Sequence, residues 1–102
     1  MAEFVKVAST NEIAPGQCLL VTVKGTDIAL FNVDGNFFAL SNACTHEEGP
    51  LAEGEISGHE VICPWHGARF DIRTGEVLGP PAYDAVTCYE VRVSGRDIEV
   101  AV

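Results

Sequence analysis

Two short stretches, Cys44-Thr45-His46 and Cys63-Pro64-Trp65-His66, decide what this chain folds around. Each stretch offers one thiolate and one imidazole, and sixteen residues separate the first histidine from the second cysteine. No other part of the sequence brings a cysteine and a histidine so close together. Because both groups are metal ligands in proteins, the sequence predicts one metal site held by four side chains, namely Cys44, His46, Cys63 and His66.

The bulk properties predict a single globular domain that spans residues 1–102. Hydrophobic residues make up 47% of the chain and charged residues 21%, which is typical of a globular protein. No signal peptide and no apolar stretch of membrane-spanning length is apparent, so we expect a cytoplasmic protein that does not enter a membrane. The formal net charge of −9 argues against nucleic acid as a partner and favours partners that carry basic patches.

The four cysteines divide into a ligand pair and a second pair. Cys44 and Cys63 each have a histidine within three residues, whereas Cys18 and Cys88 do not. In a reducing cytoplasm a disulfide between Cys18 and Cys88 is the less favoured interpretation. We therefore expect these two to be unligated thiols.

Short apolar runs separated by turn residues predict an all-β fold, a small antiparallel sandwich or barrel of nine or ten strands. Asp34-Gly35 lies between two apolar runs and is the strongest hairpin signal, because both turn positions favour positive φ. Residues 86–93 are predicted as one continuous strand. Phe37 and Phe38 are adjacent, so the period-2 rule predicts that only one of them packs in the core.

Both ligand stretches are predicted to lie on loops that leave strands, at about residues 42–50 and 62–71, so that two hairpin tips converge on one site. Two Cys and two His can hold zinc in a tetrahedral site. They can also hold a binuclear iron–sulfur cluster in which two His replace two Cys on one iron. Each loop here carries one Cys and one His, and this mixed order favours the two-iron cluster.

The pattern Cys44-x-His46 followed by Cys63-x-x-His66 resembles the Rieske [2Fe–2S] signature. Phe70-Asp71, Thr74-Gly75 and the proline loop at residues 79–81 agree with the same family, and the similarity covers nearly the whole chain. The resemblance implies the Rieske type of β-sandwich, with both cluster-binding loops at one tip. It also implies that Cys44 and Cys63 bind the inner iron of one [2Fe–2S] cluster, and that His46 and His66 bind the outer iron.

The sequence departs from high-potential Rieske proteins beside the ligands. Those proteins resemble one another in a disulfide between the loops and in a Ser and a Tyr that donate hydrogen bonds to cluster sulfurs. In this chain Gly49 and Trp65 stand at the positions of the two disulfide cysteines. Ala68 stands at the position of the Ser, and Phe70 at the position of the Tyr. Such hydrogen bonds stabilise the reduced state, so their loss predicts a potential near the bottom of the Rieske range of roughly −150 to +300 mV.

The resemblance implies an electron carrier rather than an enzyme. At 102 residues the chain has no room for an oxygenase catalytic domain. It is most similar to the ferredoxin component of ring-hydroxylating dioxygenase systems, which passes single electrons from a flavin-containing NAD(P)H-dependent reductase to a terminal oxygenase. The alternative is the small subunit of a nitrite reductase. The implied carrier is a monomer that docks transiently through its cluster tip.

Overall fold

The architecture comes from a computed structural model that describes residues 3–42, 50–64, 67–79 and 85–102. Within these ranges the regular structure consists of eleven β-strands and two short 3₁₀ turns, Thr10–Glu12 and Leu51–Glu53. No helix in the described parts is long and apolar enough to cross a membrane. The predicted all-β antiparallel fold is confirmed, but the described residues form eleven strands and not the nine or ten predicted.

The strands form three antiparallel sheets. The first contains β1 (Phe4–Ser9), β11 (Asp97–Ala101) and β10 (Val91–Ser94), in that spatial order. The second contains β2 (Cys18–Val23), β3 (Thr26–Val33), β4 (Asn36–Ser41) and β9 (Cys88–Tyr89). The third contains β5 (Glu55–Ser57), β6 (Glu60–Ile62), β7 (Arg69–Asp71) and β8 (Val77–Gly79).

The second sheet contributes to two separate apolar cores. One face of β3 packs with residues of the third sheet, and the other face packs with residues of the first sheet. Every residue of β3 from Ile28 to Val33 is therefore buried. The first of these clusters, called here the site core, contains Ala29, Phe31, Val33, Leu40, Leu51, Val61, Cys63, Ala68, Phe70, Ile72 and Val86.

This arrangement corrects the prediction for Phe37 and Phe38. Both side chains pack, Phe38 against the site core and Phe37 against the cluster on the other face of the sheet. The alternation of side chains along β4 is as predicted. The prediction that only one packs is wrong because the sheet has apolar partners on both faces.

The β3–β4 hairpin closes as the sequence predicts. Asp34 has φ of 53° and Gly35 has φ of 88°, and the flanking residues pair from Val33 with Asn36 onward. The side chain of Asn32 strengthens the turn, because its Oδ1 accepts the Gly35 N–H at 2.9 Å. Its Nδ2 donates to the Ile13 carbonyl oxygen at 2.8 Å, so this buried amide is satisfied on both sides.

The predicted strand over residues 86–93 is divided in the structure. The Val86 N–H donates to the Gly75 carbonyl oxygen, β9 pairs with β4, and β10 pairs with β11 in a different sheet. Glu90 separates the two strands, and its carbonyl oxygen accepts the Ala101 N–H at 2.9 Å. The continuous prediction is wrong because the chain changes sheets at this residue, which an unbroken apolar pattern does not show.

The second ligand loop is shorter than the predicted range of about 62–71. Ile62 pairs with Arg69, so β6 and β7 flank the loop and Arg69–Asp71 already belongs to a strand. The first predicted loop, at about residues 42–50, falls mostly outside the described residues; before it β4 ends at Ser41, and after it comes the Leu51–Glu53 turn. Gly79 ends β8, an edge strand as expected before prolines, and residues 80–84 lie outside the described residues.

The turn between β7 and β8 is organised by Asp71. Its carboxylate accepts the backbone N–H of Arg73 at 2.8 Å and pairs with the Arg73 guanidinium at 3.0 Å. Its carbonyl oxygen accepts the Gly75 N–H at 2.7 Å. The Arg73 hydrogen bond is the main reason why the pKa of the Asp71 carboxyl lies below its ordinary value.

Asp71→Asn keeps an acceptor for the Arg73 N–H and removes the charge. We expect the free energy of unfolding at pH 7 to fall by no more than about 1 kcal/mol, because the Arg73 side of the pair is exposed to solvent. A carboxyl whose pKa is lowered by folding stabilises the folded state at pH values above its unfolded-state pKa of about 3.9. This stabilisation is lost as the pH falls through the lower pKa of the folded state. Urea unfolding should therefore show a constant difference between pH 5 and 8 that shrinks below about pH 4. If the wild type remained more stable than Asp71→Asn by the same amount in acid, the lowered pKa of Asp71 would not be the cause of the difference.

Candidate metal centre

Cys63 is the one predicted ligand that lies in the described part of the chain. It follows β6 directly, and its exposure is 2%. Its backbone N–H donates to the Ala68 carbonyl oxygen at 2.7 Å, which closes the loop between β6 and β7 at its base. The pairing of Ile62 with Arg69 therefore fixes the direction in which the second ligand stretch leaves the sheet.

Cys44, His46 and His66 lie outside the described residues, so the structure does not show how the four predicted ligands are arranged. Gly49 and Trp65, which replace the two loop cysteines of high-potential Rieske proteins in the sequence comparison above, also lie outside the described residues. In the described ranges no other group of three His, Cys, Asp or Glu side chains could hold a metal ion.

The surroundings of Cys63 fit an inner cluster ligand. Its neighbours in the site core are apolar, and they include Leu51, Val61 and Phe70. A thiolate in such surroundings needs a cation to compensate its charge, and cluster iron supplies one. Apolar cover around a metal group also limits solvent access and so influences its potential.

Ala68 and Phe70 are the two residues that the resemblance marks as lacking a hydroxyl donor. Both residues are 0% exposed and both belong to the site core. Phe70 pairs with Val61 across β6 and β7 and therefore faces the same side of the sheet. Neither side chain can donate a hydrogen bond. The residues that the sequence marks as missing donors are thus buried in the same core as Cys63.

Arg69 crosses the outer face of the third sheet beside the second ligand stretch. Its Nη1 lies 3.3 Å from Glu60 Oε1 on β6. On the other side its guanidinium lies over Gly79, where an added Cβ would be 3.0 Å from Arg69 Nε. Arg69 thus contacts the strands before and after its own.

The second pair of cysteines is unbridged, as predicted. The Cys18 thiol donates to the Ala52 carbonyl oxygen at 2.8 Å, and burial raises its pKa. The Cys88 thiol lies 3.5 Å from the Arg73 carbonyl oxygen. Burial, and then the negative charge of Asp71, raise the pKa of Cys88. In both thiols the shift of the pKa favours the protonated form.

Two residues near the ligand stretches do not stand out in the sequence. Asn42 precedes the first stretch and holds the Leu51–Glu53 turn through its side chain and backbone. Gly54 follows that turn and lies against the carbonyl oxygen of Ile62. A single Asn or Gly beside a loop is a common turn residue, so only the observed contacts single them out.

A buried cysteine at the base of a short hairpin loop in an all-β fold, with a second Cys/His stretch in the sequence, fits a protein that binds a metal ion or an iron–sulfur cluster. Residues 3–90 match the family model of the Rieske [2Fe-2S] domain. This chain therefore belongs to the Rieske [2Fe–2S] domain family, and its cofactor is a Rieske-type [2Fe–2S] cluster.

Known proteins resemble the chain over nearly its full length. It is 42% identical to the biphenyl dioxygenase ferredoxin subunit of Pseudomonas sp. (strain KKS102), over 95% of this chain and 90% of that protein. A chain in a solved complex of reduced oxygenase and oxidised ferredoxin of carbazole 1,9a-dioxygenase is 30% identical, with a TM-score of 0.91, and the match covers 96% of this chain and 92% of that one.

A third similarity concerns the fold alone. The solved structure of a putative NADH-dependent nitrite reductase small subunit from Mycobacterium tuberculosis is 23% identical, with a TM-score of 0.88. The match covers 100% of this chain and 96% of that chain. The same fold is thus found in proteins with different names, and fold alone does not decide between their functions.

Proposed function

We propose that this chain is a low-potential Rieske ferredoxin, a single-domain monomeric electron carrier of the cytoplasm that delivers single electrons to a terminal ring-hydroxylating oxygenase. The observation that carries the proposal is the 42% identity to a dioxygenase ferredoxin subunit over nearly the whole of both chains. The oxygenase–ferredoxin complex that contains a similar chain supports the same partner class. The electron donor in this proposal is a flavin-containing NAD(P)H-dependent reductase.

The proposal assigns the cluster to four ligands, Cys44 and Cys63 on the inner iron and His46 and His66 on the outer iron. The burial of Cys63 supports its inner position. When bound, the cluster accepts and releases one electron. The chain contributes the ligands, the apolar cover from the site core, and a surface on which partners dock. No bond in a substrate is made or broken in this role, so the protein is a carrier and not an enzyme.

The charge of the surface supports transient docking to basic partners. The chain carries six basic residues against fifteen acidic ones. Five of those basic side chains form ion pairs, namely Lys6 with Asp97, Lys24 with Glu3, Arg69 with Glu60, Arg73 with Asp71, and Arg92 with Glu99. Most of the positive charge is thus neutralised within the molecule, and the remaining acidic surface favours rapid, salt-sensitive association.

The proposed docking surface is the tip that carries His46 and His66, because electron transfer needs the outer iron close to the partner. The proline loop near residues 79–81 is expected to border this tip. Charge steering predicts that the rate of electron transfer falls as the ionic strength rises.

The test is reconstitution with purified components. The chain should support NADH-dependent turnover when it is combined with the reductase and oxygenase of a ring-hydroxylating system, and turnover should stop when the chain is omitted. The same preparation should not replace the small subunit of an NADH-dependent nitrite reductase. Complementation of the nitrite reductase, without turnover by any oxygenase, would overturn the proposal in favour of that alternative.

A further inference from the structure

The two ligand stretches are tied to one another through the Leu51–Glu53 turn. This turn follows the first stretch, and the next strand, β5, pairs with β6, which leads directly to Cys63. Leu51 is fully buried in the site core, so the packing of its side chain holds the turn in place. Through β5, the turn is therefore held beside the strand that leads into Cys63.

Asn42 holds the turn from the side of the first stretch. Its side-chain Oδ1 accepts the Ala52 N–H at 2.8 Å, and its carbonyl oxygen accepts the Leu51 N–H at 2.7 Å. Its own N–H donates to the Asp27 carbonyl oxygen at 3.1 Å. The first two bonds bring residues 42 and 51–52 together, and the third ties residue 42 to β3.

Gly54 holds the turn from the side of the second stretch. A Cβ added here would lie 2.5 Å from the Ile62 carbonyl oxygen and 3.1 Å from Val61 Cγ2. The backbone of Gly54 has φ of −77° and ψ of 172°, a conformation that any residue adopts. The glycine is therefore required by the close approach to β6 and not by its backbone angles. Ile62 is the residue immediately before Cys63.

We propose that Asn42 and Gly54 are positioning residues that fix the separation of the two ligand stretches and thereby determine how long the cluster stays bound. A cluster with ligands from two loops is released when the loops separate, so its retention depends on their common base. Neither residue touches the iron in this proposal; each acts through the Leu51–Glu53 turn. The inference rests on the proposed four-ligand assignment.

The experiment measures the rate at which the visible cluster absorbance is lost in the presence of an iron chelator, with the holoprotein. Gly54→Ala must move the turn away from Ile62, and Asn42→Ala removes the acceptor of the Ala52 N–H. We expect each variant to lose its cluster about tenfold faster than the wild type. Asn42→Asp keeps the acceptor and should restore a rate within about twofold of the wild type. The electron paramagnetic resonance spectrum of reduced Gly54→Ala should also change shape.

Gly95→Ala is the matched control. Gly95 has φ of 63° in the turn between β10 and β11, and an added Cβ there meets no atom within 4 Å. The substitution strains the backbone and destabilises the fold in general, but it leaves the ligand loops untouched. Rates are compared at the same temperature interval below each variant's unfolding midpoint, so that general destabilisation is removed from the comparison.

Two results would overturn the inference. One is a Gly54→Ala variant that loses its cluster no faster than Gly95→Ala. The other is an Asn42→Asp variant that behaves like Asn42→Ala, and this result decides the matter even where Gly54→Ala does not fold. A failure of the proposed function looks different, because the wild-type holoprotein would then hold its cluster normally but support no oxygenase turnover.

Discussion

Cys63→Ala is expected to abolish cluster binding. The substitution removes one of the two thiolates proposed for the inner iron, and a buried alanine offers no replacement ligand. Iron content should fall from about two atoms per chain to near zero, with loss of the visible absorbance. The folded β-sandwich should persist in part, because Cys63 is one of many residues in the site core. Far-ultraviolet circular dichroism measures that fold independently of the cluster.

Cys88→Ala is the control for this prediction. Cys88 lies on β9, and its thiol is 3.5 Å from the Arg73 carbonyl oxygen, outside the site core that contains Cys63. This variant should retain its full iron content. If Cys63→Ala kept two irons per chain while Cys88→Ala lost them, the ligand assignment would be wrong.

The double variant Ala68→Ser with Phe70→Tyr is expected to raise the midpoint potential. A hydrogen bond to a charged acceptor contributes about 1.5–3 kcal/mol. If each new hydroxyl stabilises the reduced cluster by about 1.4 kcal/mol more than the oxidised one, the potential rises by about 60 mV for each hydroxyl. We therefore expect an increase of about 120 mV for the pair, measured by redox titration.

Phe31→Tyr separates this effect from the general cost of a buried hydroxyl. Phe31 is also fully buried in the site core, but it lies on β3, outside the β6–β7 hairpin that carries the second ligand stretch. The control should lower stability and leave the potential within about 20 mV, which is less than half a kcal/mol for one electron. A double variant that keeps its cluster with an unchanged potential would show that the two positions do not set the potential.

Local signals in the sequence predict much of the fold. Asp34-Gly35 and the short apolar runs give the correct hairpin and most strand limits, because turn chemistry and side-chain alternation act over a few residues. The division between β9 and β10 and the packing of both Phe37 and Phe38 are not predictable in this way. Both depend on which sheet each face meets, and that is a property of the whole molecule.

The site shows the same difference between local and non-local information. Alternating Cys and His residues predict the ligands, and the resemblance to a known family predicts the cluster and the carrier role. The burial of Cys63, Ala68 and Phe70 in one core agrees with that prediction. The contacts of Asn42 and Gly54 join residues on different elements, so no pattern in the sequence indicates them.

The midpoint potential of the wild-type holoprotein tests the central claim most directly, because it depends on the cluster type, on its ligands and on the missing hydroxyl donors together. A titration followed by electron paramagnetic resonance should give a one-electron Rieske signal near the bottom of the range of roughly −150 to +300 mV. A midpoint above roughly +100 mV on that scale, or a reduced protein without such a signal, would contradict the account.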